Sequence, residues 1–170
     1  MFSIPWRNNK KGISIIEILI VIAIIAITLA SLLSLAIFSL KAALLAKETT
    51  LAKNIAEATL EEVRNFRDGT TWASNGLGTL LTGEANPYHP EKDTGTSPPQ
   101  WILASGTQTI NGFTRKVVFD DVQRDTDFNI VESGGTVDSD TKKTTVNASW
   151  TERGGSHQVE IVTYLTNWRQ

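Results

Sequence analysis

The chain has 170 residues, with 16 Lys/Arg against 18 Asp/Glu, two His and no Cys. That length holds one domain of moderate size beside a membrane segment, and the missing thiols exclude disulfides and thiolate metal sites. From Gly69 onward 8 Lys/Arg stand against 12 Asp/Glu, a net of −4, which argues against wrapping nucleic acid, where Lys and Arg must displace phosphate counterions.

The opening residues carry Arg7, Lys10 and Lys11 with no acid and run to Gly12; Ile13-Ser14-Ile15-Ile16 leads to Glu17. From Ile18 to Leu40 there is no charge over 23 residues. As a helix this run is about 35 Å long, which matches a bilayer hydrocarbon core of roughly 30 Å. Lys41 and Lys47 flank its far end beside Glu48, and the basic leader puts the N-terminus on the cytoplasmic side with the remainder exported. A secretory signal has an apolar core of only about 7–15 residues, so that reading fails on length. An ordinary signal anchor explains the length and the basic flank but not Glu17. An unpaired carboxylate at the edge of hydrocarbon costs several kcal/mol and calls for a partner.

The combination of basic leader, Gly12, Ile13 and Glu17 resembles the type IV pilin and pseudopilin family. In that family the Gly marks the cleavage point and a Glu is the fifth residue of the mature chain. The resemblance implies removal of residues 1–12 by a prepilin peptidase and N-methylation of Ile13. It also implies that Glu17 sets assembly register by accepting a hydrogen bond from the new Ile13 amine, its own or a neighbour's. Ile13 replaces the commonest first residue, Phe, as minor pilins and pseudopilins do. Many pilins close a C-terminal loop with a disulfide, and this chain has no Cys to do so. Small residues at Ala23, Ala26, Ala30, Ser31, Ser34 and Ala36 let neighbouring stems approach closely.

Beyond Lys41, apolar residues recur at Leu44, Leu51, Ile55, Thr59 or Leu60, Val63 and Phe66. Steps of three and four predict an amphipathic helix continuing to residue 67, with Leu51, Ile55, Val63 and Phe66 as core anchors. Gly69 is the expected left-handed cap. Between residues 69 and 100 Gly and Pro cluster with Thr, Ser and Asn, which predicts a variable loop, pinned to the head by Trp72, Tyr88 and Trp101.

From Trp101 the period is two. Thr107–Ile110, Asn111-Gly112 and Phe113–Val122 form a strong hairpin pattern, because Asn-Gly supplies the positive-φ pair of a type I′ turn. Thr144–Trp150 and Gln158–Trp168 follow as strands, joined through Arg153-Gly154-Gly155-Ser156. The expected fold is α+β and pilin-like: one long N-terminal helix packed on a four-stranded antiparallel sheet. Its parts are a leader (1–12), a membrane or filament-core helix half (13–40), an amphipathic half (41–68), a variable loop (69–100) and the sheet (101–170). The ending from Trp150 to Trp168-Arg169 resembles minor pilins of the type IV pilus modification kind.

Asp125-x-Asp127-x-Asn129 and Asp138-x-Asp140 place oxygens at alternate positions, as calcium loops do. However, Ile130 stands where an EF-hand needs Gly and Thr136 where it needs an acid, so solvated loop acids are the better reading. His89 and His157 have no zinc spacing, and no phosphate loop or serine elbow is present. No cofactor, metal or catalytic residue is expected. The reading is a non-enzymatic filament subunit of a type IV pilus or type II secretion pseudopilus. Its partners would be other pilin-type subunits, prepilin peptidase, an inner-membrane assembly platform and, before assembly, the bilayer. The alternative is a signal-anchored protein with a ligand-binding or enzymatic exported head.

Overall fold

The structure, a computed structural model, describes residues 14–152 and 155–168. The chain divides at Ala46/Lys47 into two units, and one helix, α1 (Ile15–Gly69), supplies residues to both. In the first unit every residue from Ser14 to Ala46 is exposed.

In the second unit the rest of α1 is followed by a one-turn helix α2 (Trp72–Asn75), a 3₁₀ turn (Leu77–Thr79) and strands β1 (Tyr88–Asp93), β2 (Gln100–Ser105), β3 (Gln108–Ile110), β4 (Phe113–Arg124), β5 (Ile130–Val131), β6 (Thr136–Glu152) and β7 (Gly155–Thr166). The sheet runs β2-β1-β4-β6-β7, with β3 and β5 also paired to β4, and every pairing is antiparallel. The α+β architecture is as read from the sequence, but the sheet has seven strands rather than four.

The added strands have identifiable causes. β1 and β2 lie partly in the Gly/Pro-rich stretch expected to be loop. β1 contains Pro90, which pairs opposite Leu103 and is fully buried. Past Tyr88, β1 has no ladder partner on its β4 flank; there the Pro90 carbonyl accepts from Arg115 Nη2 at 2.8 Å. A proline is tolerated because a side chain, not a strand, satisfies that flank. β6 begins at Thr136, well before Thr144, because Asp138 is paired across the sheet with Arg124 at 2.6 Å instead of facing solvent.

The Asn111-Gly112 turn has φ of 53° and 86°, joining Ile110 to Phe113 as a directly opposed pair. The β6–β7 connection at Arg153-Gly154 lies outside the described residues, while Gly155 and Ser156 already belong to β7 opposite Glu152 and Thr151. Register between β4 and β6 slips between Asp121 and Val122. The residues of β6 thrown out there are used as anchors: Ser139 O accepts Trp72 Nε1 at 2.9 Å, and Asp140 O accepts Asn167 N at 2.8 Å.

The helix stripe is as expected from Thr59 to Phe66 but differs before it. Ala52, Ala56, Thr59, Leu60, Val63 and Phe66 are buried, whereas Leu51 is 39% exposed and Ile55 half-buried. Small residues at positions 52 and 56 let the helix backbone approach the sheet, and close packing outweighs side-chain size in choosing the buried face. The helix end also departs from expectation. Gly69 is helical and not left-handed, and Thr70 Oγ1 donates to Phe66 O at 2.8 Å. Trp72 and Tyr88 are buried and Trp101 half-buried, all three against the core.

Thr144 is fully enclosed, and its hydroxyl has no hydrogen-bond partner among the described residues. Thr144→Val is therefore expected to stabilise the head by about 1 kcal/mol, since an unsatisfied buried hydroxyl costs roughly 1–3 kcal/mol. A rise in the thermal midpoint checks it.

Candidate functional site

Ser14 starts α1: its carbonyl accepts from Glu17 N at 3.0 Å and Ile18 N at 3.3 Å. Ser14 thus occupies the N-cap place and Glu17 the third helical position. The Ser-x-x-Glu spacing is that of a capping box, a local signal that the membrane reading of Glu17 passed over. It gives the carboxylate a second favourable term, because an acid in the first turn faces the positive end of the helix dipole. Gly12 and Ile13 lie outside the described residues.

Downstream of Glu17 the helix hides its own polar groups. Thr28 Oγ1 donates to Ile25 O at 2.8 Å, Ser31 Oγ to Ile27 O at 2.9 Å and Ser34 Oγ to Ala30 O at 3.0 Å. Each hydroxyl is satisfied within one turn, so the surface it leaves is compatible with lipid. The most apolar stretch has a mean hydropathy of 3.0, with none of it buried. An exposed surface of this kind requires lipid or other helices around it.

A family model of the prokaryotic N-terminal methylation motif matches residues 7–33. The chain carries the type IV pilin-family signal. The matched stretch runs from Arg7 to Leu33 and takes in Gly12, Ile13, Glu17 and most of the apolar run; it supports a pilin-like or pseudopilin-type subunit and points to a structural protein. With the apolar helix it fits an inner-membrane anchor bearing an exported head. No curated protein and no solved structure matches the chain.

Asp125, Asp138 and Asp140 of the second unit are held by backbone and side-chain donors within it. Asp125 Oδ1 accepts from Asp127 N at 2.9 Å and Asn129 N at 2.8 Å, and Oδ2 accepts from Asn129 Nδ2 at 3.2 Å. The Asn129 backbone amide, then its side chain, hold the Asp125 carboxyl below its ordinary range. Asp138 takes Arg124 on one oxygen and Asp140 N at 2.9 Å on the other. Asp140 Oδ1 accepts Asn167 Nδ2 at 2.9 Å. These bonds shape loops and tie down the C-terminal residues, where Trp168 Nε1 also donates to Asp68 at 3.1 Å. Among the described residues no three His or acids gather as a metal site.

The Arg124 hydrogen bond lowers the Asp138 pKa from its ordinary 3.8. Because the folded value lies below the unfolded one, this stabilisation is present above pH 3.8 and is lost as pH falls through the folded value. Acid unfolding of wild type and Asp138→Asn is expected to differ above that range and converge below it.

Proposed function

We propose that this chain is a minor pilin or pseudopilin, a non-enzymatic building block of a type IV pilus or type II secretion pseudopilus. Residues 1–12 form a cytoplasmic leader, cut by prepilin peptidase between Gly12 and Ile13, and Ile13 is then N-methylated. Residues 13–40 hold the subunit in the inner membrane until an assembly platform moves it into a filament of other pilin-type subunits. Residues 41–68 then carry the exported head, and Glu17 fixes the register of the stem. The observation that carries this reading is the methylation motif over residues 7–33, together with a helix whose apolar residues up to Ala46 are all exposed.

Mass spectrometry of the mature N-terminus tests it. A chain beginning at Ile13 and one methyl group heavier is expected. An intact Met1, or a cut beyond Leu40, would replace this reading with that of a signal-anchored head.

A further inference from the structure

The sheet ends in two edges that are alike in an unusual way. Among the described residues β7 is paired only to β6 and β2 only to β1. β7 offers 12 residues in unbroken register with β6, with no Pro or Lys and Glu160 as its one charge. Natural edge strands usually carry bulges, Pro or inward-pointing charges that block further pairing; this one carries none.

Both edges also leave core side chains half covered. The partly buried residues packed against the core include Val159 and Ile161 on β7 and Trp101 and Leu103 on β2. Their partners one strand inward, Ala148 and Val146 beside β7, are fully buried. Next to β7 lies a groove of about 590 Å³ between Ile161 and the helix residues Asn54, Glu57, Ala58, Leu60, Glu61 and Arg64. It has the position that the inward side chains of one further strand would occupy.

The strand directions decide which strand fits. Four successive antiparallel pairings separate β2 from β7, so the two edges run parallel. Setting β2 of a second copy beside β7 keeps the α1 segments after Ala46 pointing the same way in both copies, as chains anchored in one membrane require. A two-fold pairing of β7 with β7 would reverse them. Head-to-tail contact between unlike surfaces is also the kind that propagates along a filament. Of the charges nearby, Glu160 stands on β7 and Lys92 of β1 lies over Trp101 of β2, 5.9 Å from the ring, while Glu57 and Glu61 of the groove are paired with Lys53 and Arg64.

We infer that β7 is a docking edge for β2 of a second copy of this chain, joining neighbouring heads into a continuous sheet by parallel strand addition. The inference rests on the filament-subunit reading. The absence of native Cys makes disulfide trapping direct. Ile102 and Val162 both lie on the exposed face of their strands. The full-length chain carrying Ile102→Cys together with Cys at residue 158, 160, 162 or 164 is oxidised in cells in which assembly is followed by shearing and immunoblotting.

The expected result is a ladder of disulfide-linked subunits at one register, absent from each single-Cys chain. Ile161→Lys, an inward charge at a position packed against the core, is expected to abolish the ladder, and filament entry of the variant separates lost edge pairing from a lost fold. Assembled subunits that give no ladder at any register overturn the edge pairing and leave the subunit reading intact. Dimers from Val162→Cys alone overturn it in favour of two-fold pairing. A chain that never enters a filament overturns both readings.

Discussion

Replacing Arg115 by Ala is expected to cost the head about 3–5 kcal/mol, the usual penalty for breaking a buried ion pair from one side. Arg115 is 6% exposed. Its Nη1 meets Glu62 at 2.5 Å and Thr59 Oγ1 at 3.1 Å, its Nη2 the Pro90 carbonyl at 2.8 Å and its Nε Gln108 Oε1 at 2.9 Å. One guanidinium thus ties α1, β1, β3 and β4 together, using the planar fork that Lys lacks. Loss of Arg115 strands Glu62, Gln108 and a buried backbone carbonyl at once.

Arg115→Lys is expected to recover only part of the loss, because a single ammonium cannot reach all four acceptors. The double change Arg115→Met with Glu62→Met is expected to cost less than Arg115→Ala, since removing both charges leaves neither buried alone. Urea unfolding of the chain in detergent, followed by tryptophan fluorescence, measures all three. A cost below about 1 kcal/mol for Arg115→Ala would reduce the contact to an ordinary surface pair.

The same residue shows where sequence reading stops. The long helix, the Asn111-Gly112 hairpin and strands β4, β6 and β7 are legible because their signals are local: period, turn chemistry and β-branched runs. Arg115 in a strand reads as a solvated charge; only the fold brings Glu62 and Pro90, distant in sequence, to it. Pro90 hides β1 for the same reason, because its carbonyl partner is not local. Before Thr59 the helix face is misjudged by one position since hydrophobicity ranks Leu51 above Ala52, while the packing distance to the sheet favours Ala. Glu17 shows the converse. Its place beside Gly12 and Ser14 is wholly local, so both its membrane-edge position and its capping-box spacing lie open in the sequence.

Those two local meanings of Glu17 predict different outcomes for one substitution. If the carboxylate serves as a helix-start group, Glu17→Gln keeps the capping-box spacing, because Gln fills that place as well as Glu does. Filament incorporation then changes little, and Glu17→Ala costs about 1 kcal/mol of local helix stability. If the carboxylate pairs with the Ile13 amine created by cleavage, Gln fails almost as badly as Ala. An amine left uncompensated in an apolar bundle costs roughly 3–5 kcal/mol, equivalent to about a hundredfold or greater loss in incorporation at 1.4 kcal/mol per tenfold. The pairing role is the expected one, with Glu17→Asp intermediate and cleavage after Gly12 largely unaffected in all three variants. Cleavage is read by the size of the membrane-bound chain and incorporation by the sheared filament fraction. Wild-type incorporation of Glu17→Gln would assign the carboxylate to the helix start and remove it from assembly.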